Sequence, residues 1–151
     1  MRTAVPLIIF IALVAVAAFV GARFTPGAWY TSLERPPLAP PNWIFGPVWT
    51  LLYVAIAVAA FLVWRTPGDK TLALTLWGTQ LALNALWSYL FFGLERPGLA
   101  LIEISILLAV IVATTIVFWR LRPSAGALFV PYALWVSFAT YLNAGFWFLN
   151  R

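Results

Sequence analysis

The sequence predicts an all-α integral membrane protein, a bundle of five transmembrane helices. Three observations predict it. Of the 151 residues, 64% are hydrophobic and 9% are charged, a balance that water-soluble domains do not carry. The apolar residues fall into runs of about 20, enough to cross roughly 30 Å of hydrocarbon at 1.5 Å per residue. Short breaks rich in proline, glycine and charge separate the runs, so the helices are antiparallel neighbours in one domain, residues 1–151.

The first helix is expected over about 5–24, with Pro6 in its first turn and Arg23 at its far end. Arg2 ahead of an apolar core and Ala15-Val16-Ala17 with cleavage-site spacing also fit a signal peptide, but the apolar stretch is long for one. Ala12, Ala15, Ala18 and Ala22 form a small-residue stripe suited to close helix packing. Residues 25–42 are the longest connection, a lid loop carrying Trp29, Tyr30, Glu34, Arg35 and four prolines between Pro36 and Pro41. Proline fixes φ and removes a donor, so this part is a stiff extended segment, either a functional lid or an interfacial loop.

Asn42 is a candidate N-cap for a second helix over 43–64, with Pro47 near its first turn and Trp43 and Trp49 suited to a membrane interface. Arg65 and Thr66-Pro67-Gly68-Asp69 end it. A third helix follows over 71–92, capped by Asp69 or Thr71, and Gly93 to Pro97 breaks it. The fourth helix covers 98–120 and stops at Arg122-Pro123. The fifth covers 124–149, and inside it Pro131 removes the hydrogen bond to the Ala127 carbonyl.

The composition excludes several chemistries. The chain has no cysteine and no histidine, so a thiolate nucleophile, a disulfide, a Ser-His-Asp triad and a zinc site are ruled out, and no metal site is expected. Nine Lys and Arg face four acids, mostly at the ends of apolar runs, as snorkelling anchors rather than a nucleic-acid surface. Arg2, Arg65, Lys70, Arg120 and Arg122 fall on one side, against Arg23, Arg35, Arg96 and Arg151 on the other. That balance sets no orientation. No internal repeat supports an inverted-repeat transporter.

Polar groups inside the spans carry most of the remaining information, because each costs free energy in hydrocarbon unless partnered. Gln80 and Asn84 are four residues apart on the third helix, and Trp87 and Phe91 continue their face. They are either interhelical glue or the lining of a ligand cavity. Gly78 and Ala82 sit on the opposite face, open equally to packing within the bundle and to a homodimer interface. Glu103, the one acid inside a predicted span, is expected to snorkel or to pair with a neighbour such as Arg96. Tyr132, Trp135, Ala139 and Asn143 share a face of the fifth helix, and Trp49 and Tyr53 lie on the second. Such aromatic walls suit a large, flat, apolar ligand; the alternative is that the tryptophans are interface belts and core filler.

Taken in order, Trp29-Tyr30, Arg35-Pro36, Pro40-Pro41-Asn42-Trp43, Gly46-Pro47-Val48-Trp49, Gln80-Leu81-Ala82-Leu83-Asn84 with Trp87, Phe91-Phe92-Gly93, Pro131-Tyr132, Trp135 and Phe138-Ala139-Thr140-Tyr141-Leu142-Asn143 resemble the TspO/MBR family of tryptophan-rich sensory and translocator proteins. The resemblance covers essentially the whole chain. It implies a five-helix bundle in a membrane, commonly a homodimer, whose cavity takes protoporphyrin IX or a haem-like tetrapyrrole and related planar apolar ligands, with no cofactor required. By motif position Trp49, Gln80, Asn84, Trp135 and Ala139 would line that cavity under a lid including Trp29 and Trp43. The implied role is that of a sensor, carrier or scavenger rather than an enzyme. Two alternatives are a light-dependent porphyrin breakdown, in which Trp49 and Trp135 would act, and small-molecule transport. Leu38 and Leu99 stand where relatives often have tryptophan, and Ala144 and Phe148 depart from the proposed cholesterol motif, so cholesterol recognition through that motif is not predicted. The short loops point to a bacterial cell envelope membrane.

Overall fold

The computed structural model describes residues 4–151, so Arg2, counted above among the charges of one side, lies outside the described residues. Six α-helices form: α1 Ala4–Ala22, α2 Ala28–Ser32, α3 Phe45–Trp64, α4 Thr71–Ser88, α5 Pro97–Leu121 and α6 Pro123–Leu149. A 3-10 turn, Asn42–Ile44, leads into α3, and a π-helical turn, Tyr89–Gly93, extends α4. No strand occurs among the described residues.

Among the described residues, four helical segments are long and apolar enough to cross a membrane: α1, Asn42–Trp64, α5 and α6. Of the five helices expected to span, α4 falls outside these four, because Thr71, Thr75, Gly78, Thr79, Gln80, Asn84 and Ser88 dilute its apolar content. Local expectations also change. Asn42 makes no side-chain cap and sits inside the 3-10 turn, while the proline segment expected to be extended turns at Pro37–Leu38, where the Ala39 N–H donates to the Pro36 carbonyl at 3.3 Å and Leu38 has a φ of 69°. The N-cap of α4 is Lys70, not Asp69 or Thr71, but Asp69, one residue earlier, still accepts the Thr71 backbone N–H on its Oδ1 at 2.9 Å, which holds the carboxyl below the usual carboxylate range.

The long helices pack as a closed ring in which α1 touches α3, α3 touches α6, α6 touches α5, α5 touches α4, and α4 returns to α1. Lipid tails are as apolar as leucine, so helices hold together here by close contact and interhelical hydrogen bonds. The α5–α6 seam is the most extensive. A Cβ on Gly126 would lie 2.6 Å from the Trp119 Cα, so only glycine permits that approach. Phe118 and Phe129, both fully buried, meet edge to face across the seam at 5.1 Å. On α1 the buried residues are Phe10, Val14 and Ala17. Of the alanine stripe expected to pack there, Ala12 and Ala15 are exposed while Ala18 and Ala22 turn toward the interior, and the bulkier face, through Phe10, fills the groove against Trp77.

Residues 33–41 are strapped onto the end of α6. Asn150 accepts the Glu34 N–H at 2.8 Å and donates back to the Glu34 carbonyl at 2.9 Å. The Tyr141 hydroxyl donates to the Pro37 carbonyl at 2.7 Å. Pro36 is buried against Gly145, where a Cβ would come within 2.5 Å of the Pro36 ring.

Candidate functional site

The ring encloses a cavity of about 310 Å³ in the half of the bundle nearest the 25–42 loop, at the lower end of the roughly 300–1,000 Å³ common for small-molecule sites. Each long helix gives it one wall. Ala18, Gly21 and Ala22 make a thin wall from α1, where a Cβ on Gly21 would already contact Ser88 Oγ at 3.5 Å. The N-terminal half of α3 supplies Trp49 and Tyr53, and the C-terminal half of α4 supplies Asn84 and Trp87, with Phe91 in the π turn. Ile104 and Leu107 come from α5, and Trp135, Ala139 and Asn143 from α6. Thr25, Pro26 and Tyr30 close the mouth.

The walls are flat aromatic surfaces. Trp49 and Tyr53 lie at 5.5 Å with 33° between their planes, and Trp87 stacks on Phe91 at 5.2 Å. Trp135 meets Phe45, which also lines the cavity, edge to face at 5.7 Å. Fixed rings of this kind offer broad van der Waals contact without losing rotamer entropy on binding.

Polar groups are few and mostly engaged with one another. The Tyr53 hydroxyl donates to Asn84 Oδ1 at 3.3 Å, Asn84 Nδ2 donates to the Tyr132 hydroxyl at 2.7 Å, and that hydroxyl donates to Gln80 Oε1 at 2.7 Å. Trp87 Nε1 donates to Asn143 Oδ1 at 2.9 Å, and Asn143 Nδ2 donates to the Pro97 carbonyl at 2.8 Å. The indole N–H of Trp135 is buried and has no acceptor among the described residues.

Of the residues expected to line the site, the fold brings together Trp49, Tyr53, Asn84, Trp87, Trp135 and Ala139. Gln80 is displaced from that set: it is fully buried behind the wall, where it holds Tyr132 rather than facing the cavity. The lid tryptophans are displaced as well. Trp29 packs edge-on against Phe91 at 5.8 Å, and Trp43 is 74% exposed at the outer end of the loop. Their neighbour Tyr30 takes the inward position, buried between Phe92 and Phe146. Burial pushes the Tyr30 phenol up, and the nearby Arg35 guanidinium opposes that rise. Glu103 neither snorkels nor pairs with Arg96: it is buried, with both oxygens unpartnered among the described residues. Gly78 and Ala82 face out of the bundle, and a Cβ on Gly78 would meet nothing within 4 Å.

Sequence reasoning missed Tyr30, Phe146 and the α1 contribution. Trp29-Tyr30 stood out as a pair, but no periodicity in a loop says which member turns inward. On α1 the signal was Gly21, one helical turn beyond Ala17 on the buried face.

The model of the TspO/MBR family matches residues 10–148. The chain is 40% identical over 139 residues to Protein CrtK of Rhodobacter capsulatus, covering 90% of this chain and 87% of that protein. It is 42% identical over 137 residues to the tryptophan-rich protein TspO of Archaeoglobus fulgidus, covering 87% and 88%. With the human translocator protein the identity is 39% over 136 residues, covering 85% and 80%.

Proposed function

This chain belongs to the TspO/MBR family, and we propose that it binds porphyrins, of the protoporphyrin IX kind, and related planar apolar molecules inside the helix ring as a sensor, carrier or scavenger. The observation that carries this reading is one cavity walled by Trp49, Tyr53, Trp87 and Trp135, with only a few polar atoms among them. A flat conjugated ligand gains stacking on such walls, and a few fixed hydrogen-bonding groups orient it. A whole macrocycle needs more room than the present cavity, so the mouth formed by Thr25, Pro26 and Tyr30 opens to admit it.

The test is equilibrium binding of protoporphyrin IX in the dark to the protein in lipid nanodiscs. Saturable one-site binding, weakened by both Trp135→Ala and Asn84→Leu in folded protein, is expected. Absence of saturable binding, or indifference to both changes, would overturn the reading.

Two further parts of the proposal concern the assembly. α4 is taken as a fifth membrane helix, because Thr71–Gly93 covers roughly 34 Å and α4 closes the ring between α1 and α5. The outward face holding Gly78 and Ala82 is taken as a homodimer contact in a bacterial envelope membrane, where close backbone approach suits small residues. Gly78→Leu should then shift the protein to monomer on size-exclusion chromatography.

A second reading rests on Trp49 and Trp135 both facing the cavity. In that reading the bound porphyrin is the photosensitiser of its own light-dependent breakdown and these two indoles are its redox partners. Trp135→Phe should abolish light-dependent product while dark binding persists; product formation unchanged by that substitution would exclude the role.

A further inference from the structure

Glu103 is 7% exposed, and neither of its carboxyl oxygens has a hydrogen-bond partner among the described residues. On the adjacent helix α4, the amide nitrogen of Gln80 is also buried and unpartnered. Elimination narrows what these groups can pair with. The buried polar or charged residues are Gln80, Asn84, Glu103, Thr114 and Asn143, and no Lys or Arg is buried among the described residues. Thr114 donates to the Val110 carbonyl on its own helix at 2.7 Å, and Asn143 is taken by Trp87 and Pro97. A donor without an acceptor and an acceptor without a donor therefore sit on two helices packed together.

The bonds that lead to this gap run one way. Tyr53 donates to Asn84, Asn84 to Tyr132, and Tyr132 to Gln80, so every proton in the series points away from the cavity. We propose that Glu103 ends this series, accepting from Gln80 Nε2 across one bridging water, and thereby fixes which atoms Tyr53 and Asn84 turn toward the ligand. Members of such a chain cannot reverse singly without breaking a neighbour's bond, so an acceptor at its far end orients all of them. With the chain so held, the Tyr53 proton is committed to Asn84 and the Tyr53 oxygen lone pairs remain for the cavity. The site then selects flat apolar ligands carrying a hydrogen-bond donor toward α3 and α4. Glu103 is a positioning residue for specificity, and this assignment rests on the reading of the cavity as a ligand site.

The experiment is a double-mutant cycle on the full chain in nanodiscs, with protoporphyrin IX as the probe in the dark. Glu103→Leu should weaken binding about tenfold, as should Tyr53→Phe, and the double variant should be no weaker than either alone. Glu103→Gln keeps an acceptor oxygen and should bind within about threefold of wild type. Losses that multiply in the double variant, or a Glu103→Gln defect as large as that of Glu103→Leu, would overturn the assignment. The side-chain amide resonances of Asn84 and Gln80 in unliganded protein give a second readout. Glu103→Leu should move both and Glu103→Gln should largely restore them; resonances indifferent to Glu103→Leu would overturn it. If wild type does not bind the probe, the ligand-site reading fails and the resonances alone decide whether Glu103 orients the chain.

Discussion

The indole N–H of Trp87 donates to Asn143 Oδ1 at 2.9 Å, and the same asparagine donates to the Pro97 carbonyl at 2.8 Å. One α6 side chain thus ties the end of α4 to the start of α5, where Pro97 follows the break between them. Asn143→Leu removes both bonds and leaves the part-buried Trp87 indole N–H without its acceptor. The expected cost is about 1–3 kcal/mol, read as a lowered unfolding midpoint in micelles. Dark binding of a planar probe should weaken too, because Trp87 loses its fixed orientation in the cavity wall.

Gly126 tests the α5–α6 seam. A Cβ there would sit 2.6 Å from the Trp119 Cα, and backbone cannot step aside as a flexible side chain can. Gly126→Ala should destabilise the bundle by about 1–3 kcal/mol, whereas Gly78→Ala, with nothing within 4 Å of the added atom, should leave the unfolding midpoint of monomeric protein unchanged or slightly raised.

The strap over residues 33–41 is held by Asn150 on Glu34 and by Tyr141 on Pro37. Asn150→Ala with Tyr141→Phe should release it. Faster amide exchange of Glu34 and Ala39 is expected, while amides in the core of α5, around Ile111, keep their protection. Unchanged exchange at Glu34 would show that Pro36 against Gly145 anchors the strap alone.

Asp69 gives a pH dependence with a defined sign. Its carboxyl is held below the usual range by the Thr71 N–H. A depressed folded-state value stabilises the protein above the ordinary aspartate range near pH 4, and that contribution is lost as pH falls through the folded value. Asp69→Ala should therefore lower thermal stability at pH 7, and the gap between variant and wild type should close on acidification toward pH 3. A gap independent of pH would contradict a contribution from this bond.

Much of the site was legible in the chain. Gln80 and Asn84 share a face because they are four residues apart, and that face does point inward; Trp135 and Ala139 likewise meet at the cavity. What periodicity could not rank was depth. Gln80 and Asn84 are equivalent on a helical wheel, yet Tyr132 reaches from α6 to occupy Gln80 and leaves Asn84 at the wall. Loop residues carry no period, so Trp29, Tyr30 and Trp43 could not be sorted into inward and outward from sequence.

The sequence by itself determined the helical membrane class, the helix breaks at proline and glycine, and the inward faces of α4 and α6, since these follow from hydrocarbon thickness and the 3.6-residue turn. Only the tertiary structure decided that α1 meets both α3 and α4 to close a ring, that Tyr30 rather than Trp29 or Trp43 seals its mouth, and that Glu103 is buried rather than snorkelled. These depend on which helices lie side by side and how far each side chain reaches across the gap. A one-dimensional pattern holds no measure of that distance.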